Sequence, residues 1–322
     1  MTRGAVVTIG ESMALLTVPA GRQLRGGAPV PVGFGGAESN VAIGLARLGV
    51  PVSWISRVGD DAFGSLITRE LRGEGVEVLA VVDGQAPTGL MVKEHRHGTP
   101  WRVRYYRAGS AASRLDPADL ATEAVTDAIC SARVLHLTGI TAAISPSALA
   151  TVRRAIDIAR AAGTVVSFDV NHRSALWSDA QAARVLAQLC GSADLVFAGE
   201  SEAALVLGAP DSGAEGLARA LAGLGASTVV LKLGARGALA LTDDRIVAAE
   251  PDPITVVDPV GAGDAFVAGY LSALVEGCPT IDCLRRGNRL GGAVCQVRGD
   301  WEGLPTEEEL ESLTAVQEDV VR

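Results

Sequence analysis

No glycine–lysine pair occurs in this chain: its only two lysines, Lys93 and Lys232, follow Val92 and Leu231. A phosphate loop of the GxxxxGK[ST] type is thereby excluded. The five cysteines (130, 190, 278, 283 and 295) include no CxxC and are odd in number. They read as buried free thiols in a reducing compartment rather than as metal or redox chemistry. His95 and His97 would make a metal pair, but no third ligand stands at zinc-like spacing, so a solvated strand end is the better reading. Positive charge is also scarce. A net charge of −9 argues against a nucleic-acid partner, and it requires local cations wherever an anionic ligand binds.

Long apolar runs are absent too. The longest uncharged stretch, Val134 to Val152, contains Gly139, Pro146, three threonines and two serines. That mixture suits strand, loop and helix, not a bilayer span. Near the N-terminus Glu11 interrupts the apolar run, and no signal-peptide order of basic, apolar and small residues appears. A cytoplasmic protein with no membrane partner is expected. What the chain does have is core material: 48% hydrophobic against 20% charged residues over 322 positions. That is enough for one large domain with an appendage, or for two domains.

"AVVTIG" (5–10) reads as a buried strand, followed by short β pieces. "AESNVAIGLARLG" has helix periodicity, with Val41, Leu45 and Leu48 on one face and Gly49 closing it. A strand "VSWISRVG" and a helix "DDAFGSLITRELRGEG" come next. "TGLMVKEH" and "WRVRYYR" then form a β pair outside the alternation. From "RVLHLTGI" onward strands alternate with helices, up to a small β pair and two helices starting near Gly263 and Ile281. The pattern predicts an α/β domain with a mostly parallel central sheet and helices on both faces. The early β pieces, roughly 12–36 and 86–109, would form a small β lid.

Ligands of open α/β sheets bind beyond the carboxyl ends of the strands, so polar residues there weigh most. Four clusters qualify. In "DPVGAGDAF" (258–266), Gly261 and Gly263 let successive N–H groups point into one concavity at a helix start, which suits an anion. Asp264 beside a merely bound phosphate would repel it, whereas a general base for phosphoryl transfer belongs there. An aspartate favoured by the helix dipole in a plain glycine turn gives the same letters. A dinucleotide fingerprint is excluded because Phe266 stands where a third glycine belongs, and Gly33–Gly35 fails likewise at Glu38. "GFGGAESN" (33–40) allows close backbone approach to a small polar ligand, or serves as a hinge.

"RVRYYR" (102–107) places Val103, Tyr105 and Arg107 on one strand face. A phenol beside a guanidinium suits a carboxylate, although a lid strand with surface arginines is the alternative. "FDVNHRSALW" brings Asp169, Asn171 and Arg173 to a strand end, where an Asx turn would also fit.

With these clusters in order, the chain resembles the PfkB (ribokinase-like) family of carbohydrate kinases over nearly its whole length. "GGAESNVAIGLARLG" is similar to the first family signature and "DPVGAGDAFVAGY" to the second. Within the family, "RVRYYRAGSA", "LHLTGI", "DVNHRSALW" and "RGDWEG" most resemble the 2-keto-3-deoxygluconate kinases. The resemblance implies ATP-dependent phosphorylation of a terminal hydroxyl of an acidic sugar, with Mg²⁺ and room for a monovalent cation. It implies a catalytic base at Asp264 and an anion hole at Gly261, Ala262 and Gly263. It further implies substrate contacts at Gly36, Tyr105, Arg107, Arg173 and Asp300, and nucleotide or phosphate contacts at Asn171, Lys232, Gly234, Gly237 and Asn288. Glu202 matches the acidic end of a metal-linked NxxE motif, but Gly199 replaces its asparagine. Met91 stands where a relative has an aromatic contact. A fructokinase, another keto-deoxy-acid kinase or a silent sugar binder are the other expectations. Exposed lid edges suggest a homo-oligomer.

Overall fold

The computed structural model describes residues 5–18, 24–96, 99–209 and 212–312, and side chains at all of these except 95, 96 and 99–101. The His95/His97 side chains and positions 19–23 of the expected lid fall outside the described residues. The strands, in chain order, are β1 (Val6–Ile9), β2 (Met13–Val18), β3 (Val32–Gly35), β4 (Val52–Gly59), β5 (Glu77–Asp83), β6 (Leu90–Arg96), β7 (Thr99–Tyr106), β8 (Val134–Thr138), β9 (Val165–Asp169), β10 (Leu195–Gly199), β11 (Thr228–Lys232), β12 (Ala238–Thr242) and β13 (Arg245–Ala249). The helices are α1 (Ala37–Arg47), α2 (Ala62–Gly73), α3 (Glu123–Ser131), α4 (Gly139–Ile144), α5 (Pro146–Ala162), α6 (Asp179–Cys190), α7 (Glu200–Leu207), α8 (Gly213–Ala222), α9 (Ala262–Glu276) and α10 (Thr280–Cys295).

Nine strands form one sheet in the order β13-β12-β11-β10-β9-β8-β1-β4-β5. Pairing is parallel except for β11–β12 and β12–β13. A second sheet has the order β3-β2-β6-β7, mixed in direction. The fold is therefore α/β and ribokinase-like: a mostly parallel sheet between helices, with a small four-stranded sheet beside it.

Strand periodicity explains the two cores. Successive side chains point to opposite faces, so Val6, Val134, Phe197 and Val230 join the layer with α1, α9 and α10. Their neighbours Val7, Leu135, Val196 and Val229 join the layer with α5, α6 and α8. Val41, Leu45 and Leu48 of α1 are all buried, as their spacing predicts. Phe266 packs in the first layer against Phe197 and Tyr270, with ring centroids 6.3 and 6.4 Å away. A Cβ on Gly287 would stand 2.9 Å from its ring. The residue that breaks the dinucleotide pattern is thus a core side chain. The five cysteines are free as expected, but only Cys190 and Cys283 are buried: Cys130 is exposed and Cys278 and Cys295 are half-buried, because these three lie at helix ends or between helices.

Two features depart from the sequence reading. Glu77–Asp83 forms the edge strand β5, which that reading passes over. Its half-exposed "EVLAVVD" shows no clean alternation because it lies at the margin of the sheet. The turn at 258–261 also has no strand before it: residues 250–256 run without regular structure into α9.

Candidate active site

The carboxyl ends of β1, β8, β9, β10 and β11 share one edge of the large sheet, and the start of α9 lies against that edge. Two adjoining cavities open there, of about 610 Å³ and about 460 Å³. The first is bounded by Glu11, Gly36, Asn40, Tyr105 and Arg107 among others. The second is bounded by Lys93, Asn171, Glu202, Lys232 and Gly263. Tyr105, Arg173, Gly261, Asp264 and Asp300 belong to both, so Asp264 stands at their junction.

Local chemistry holds Asp264 there. Gly261 is the N-cap of α9 with φ +80°, a conformation that favours glycine. A Cβ at this position would also lie 1.9 Å from the Asp300 carbonyl oxygen. Only glycine satisfies both constraints. Asp264 follows in the first turn, near the positive end of the helix. Burial pushes its carboxyl up to about 6, against the Asn40 side-chain donor and the charges of Arg173 and Lys232. Asn40 Nδ2 donates to Asp264 Oδ2 at 2.8 Å, and Asn171 Nδ2 lies 3.5 Å from Oδ1. A half-buried carboxylate with an elevated pKa, facing two cavities, is equipped to accept a proton near neutral pH.

The "GFGGAESN" cluster does more than let a ligand approach. Its Asn40 orients Asp264, and Gly36 approaches the Glu11 backbone so closely that a Cβ would lie 2.2 Å from that carbonyl oxygen. Glu38 is buried and accepts from Thr138 Oγ1 at 2.7 Å and Thr141 Oγ1 at 2.5 Å. Burial outweighs these bonds and raises it to about 7, with Asp264 adding repulsion. Its second oxygen, Oε2, is buried without a hydrogen-bond partner.

The predicted strand face holds. Val103 packs against Met13, Leu15 and Met91, while Tyr105 and Arg107 line the first cavity. Arg107 is not free, however: its Nε donates to Glu11 Oε2 at 2.7 Å, and Ser110 Oγ donates to Glu11 Oε1 at 2.6 Å. Glu11 has no signal in the sequence beyond its place after β1. Arg173 lines both cavities, and its guanidinium makes no ion pair among the described residues.

In the second cavity Lys232 Nζ contacts both oxygens of buried Asp169, at 2.8 and 2.6 Å. Burial works against the ammonium, yet Asp169, Glu202 and Asp264 hold its pKa above the ordinary range. Asn171 takes φ +35°, so the 169–173 segment turns instead of staying extended, and still brings its three polar side chains to this edge. Glu202 Oε2 accepts from Gly199 N at 2.7 Å and Oε1 from His172 N at 2.8 Å. Asp300 is raised to about 6 by burial, with Lys93 opposing.

Gly234, Gly237 and Asn288 do not line either cavity. Asn288 Nδ2 donates to Ala249 O at 2.9 Å, and a Cβ on Gly237 would meet the same oxygen at 2.1 Å. These residues join the β11–β12 turn to α10 at a rim outside the cavities. No helix among the described residues is long and apolar enough to cross a membrane.

Comparison with known proteins decides the family. The pfkB family carbohydrate kinase model matches residues 5–307. The chain belongs to the PfkB family of carbohydrate kinases. It is 40% identical over 98% of its length to the 2-dehydro-3-deoxygluconokinase of Bacillus subtilis, covering 96% of that enzyme. It is 35% identical to the 2-dehydro-3-deoxygalactonokinase of Haloferax volcanii, covering 92% of each chain. A PfkB protein structure from Polaromonas sp. JS666 superposes with TM-score 0.86 at 37% identity, covering 96% of this chain and 99% of that one. This chain is accordingly an ATP-dependent carbohydrate kinase, as its signatures predict.

Proposed function

We propose that this kinase transfers the γ-phosphoryl group of ATP to the terminal hydroxyl of 2-keto-3-deoxygluconate, giving the 6-phosphate. The observation that carries the reading is the position of Asp264, half-buried at the junction of two cavities and in the first turn of a glycine-capped helix. One cavity holds the sugar and the other the phosphates. The hydroxyl oxygen attacks the γ-phosphorus, the bond to the bridging oxygen breaks, and Asp264 receives the hydroxyl proton as ADP leaves. Backbone N–H groups at 261–263 meet the developing negative charge at the α9 start, without reorganising.

Arg173 supplies the charge that recognises the sugar carboxylate, with the Tyr105 phenol beside it. Asp300 and Gly36 bound the same pocket. Lys232 and Asn171 face the phosphates, while Gly234, Gly237 and Asn288 shape the nucleotide rim. Magnesium fits this arrangement. No cluster of three or more metal-ligating side chains exists among the described residues. A Mg²⁺ ion needs only one or two carboxylates when phosphates and water complete its shell. Glu202 is the carboxylate at hand, and Mg²⁺ there would neutralise charge on the transferring group. Gly199 contributes only its backbone N–H, to Glu202.

Identity to a 2-dehydro-3-deoxygluconokinase and a 2-dehydro-3-deoxygalactonokinase supports the acid-sugar choice. The Glu11–Arg107 pair favours a second reading, a neutral sugar such as fructose, because it leaves Arg173 as the one cavity cation without an ion pair among the described residues. A panel of 2-keto-3-deoxygluconate, its C4 epimer and fructose, followed by ADP release, tests the choice. The acid sugars should exceed fructose in kcat/KM by at least tenfold. Arg173→Ala should remove most of that preference. Fructose outperforming both acids would overturn the reading.

A further inference from the structure

The chain's two lysines both face the second cavity, while all its other basic side chains of this class are arginines. Lys232 is paired with Asp169. Lys93 belongs to no role derived so far. It sits on β6 of the small sheet, with its side chain 4% exposed, and reaches across to the large domain. Its Nζ lies 2.8 Å from Asp258 Oδ2 and 3.7 Å from Asp300 Oδ1. Those side chains are 2% and 13% exposed.

Both carboxylates bracket the turn that carries Asp264. Asp258 opens it, its Oδ1 accepting from Val260 N at 3.2 Å. Asp300 closes over it, its carbonyl filling the space beside Gly261 where a side chain would stand. The same cavity must admit phosphate oxygens. With Asp258, Asp300 and Asp264 around them, an uncompensated site would repel the very group it binds. A compact ammonium with three donors can serve both carboxylates at once. Breaking a buried pair by removing one partner leaves an unpaired charge, which is costly.

We propose that Lys93 is a positioning residue for phosphoryl transfer: its ammonium ties the small sheet to both flanks of the 258–264 turn and offsets their negative charge where phosphate enters. The proposal rests on the reading of that turn as the phosphoryl-transfer site. It holds for any sugar the enzyme accepts.

Steady-state kinetics on the full chain, with the best sugar and ATP, test it. Lys93→Met should lower kcat by at least tenfold while sugar KM changes less than threefold. Adding Asp258→Asn in the same chain removes the stranded carboxylate and keeps an acceptor for Val260 N, so it should recover at least threefold of the lost kcat. A purely structural role predicts that loss and recovery of kcat follow the folded fraction in thermal melts, whereas the proposal predicts the loss in enzyme that is still fully folded. Wild-type kcat in Lys93→Met, or a double variant no faster than the single one, overturns the proposal. Should Lys93→Met not fold, Asp258→Asn alone gives the answer. It should lower kcat at least threefold at constant sugar KM, and an unchanged kcat refutes the role. If Asp264→Asn retains turnover, the site reading itself has failed; if Asp264→Asn is inactive while Lys93→Met is not, only the Lys93 role has.

Discussion

Replacing Asp264 by asparagine removes one charge and one proton acceptor while leaving the shape of the side chain nearly unchanged. The Asn40 donor, 2.8 Å from Oδ2 in the native enzyme, still finds an oxygen on the amide. Sugar binding should therefore survive within a few-fold. Turnover should not, because a positioned general base contributes roughly 10²–10⁴-fold. The pH profile carries the second half of the prediction. Burial raises the carboxyl from 3.8 to about 6, and the base works only when ionised. Wild-type kcat/KM should climb with pH, reach half its plateau near pH 6, and fall about tenfold per unit well below that. The variant should show a low, flat profile through the same range. Coupled ADP-release kinetics from pH 5 to 8 give both quantities, with isothermal titration of the sugar as the binding control. An Asp264→Asn enzyme within tenfold of wild-type turnover refutes the base assignment. A wild-type inflection near pH 4 refutes the environment described for it.

Two further outcomes follow from the same edge of the sheet. Gly261→Ala places a methyl 1.9 Å from the Asp300 carbonyl oxygen at φ +80°. It should cost turnover 10²-fold or more and lower the melting temperature, since a left-handed alanine alone costs about 1–2 kcal/mol; near-native turnover would refute the turn geometry. Glu38→Gln probes stability. The folded protein binds the Glu38 proton more tightly than the unfolded chain, with a pKa of about 7 against 4.5. That contribution is full below about pH 4.5 and is lost as pH rises through about 7, a span worth about 3 kcal/mol. The amide mimics the protonated acid, so the variant should gain on the wild type between pH 5 and 8 in urea denaturation. Parallel pH dependences of the two proteins would exclude a neutral Glu38.

Much of the site is legible in the sequence because its backbone constraints are local. Gly261, Gly263 and Asp264 declare a helix start, with an acidic residue in its first turn, within four residues. The strand face of Val103, Tyr105 and Arg107 follows from a period of two. What stays hidden depends on partners distant in the chain. Glu11 reads as a break in an apolar run until Arg107 and Ser110, about a hundred residues on, satisfy its two oxygens. Asn40 reads as one polar letter in a helix, and Lys93 as an ordinary strand residue. Their meaning lies in contacts 224 and 165 residues away, which no local pattern encodes. The edge strand β5 escapes for another reason: a half-exposed margin needs neither alternation nor a continuous apolar run.

These hidden residues change how the charge balance of an acidic protein is understood. The sequence suggests that Arg107 and Arg173 together hold an acid. The structure pairs Arg107 with Glu11, Lys232 with Asp169 and Lys93 with Asp258, so three of the four cations around the cavities are already matched. Burying a cation with its partner fixes its position and forfeits much of its reach toward a ligand. Under the function proposed above, net attraction for a sugar carboxylate would rest on Arg173, and attraction for phosphate on the backbone N–H groups at the α9 start. The paired cations serve to keep Asp264, Asp169 and Asp300 in one confined space without mutual expulsion. On the proposed acid-sugar reading, preference for acid over neutral sugars would then depend on one exposed arginine, and turnover on the buried network behind it.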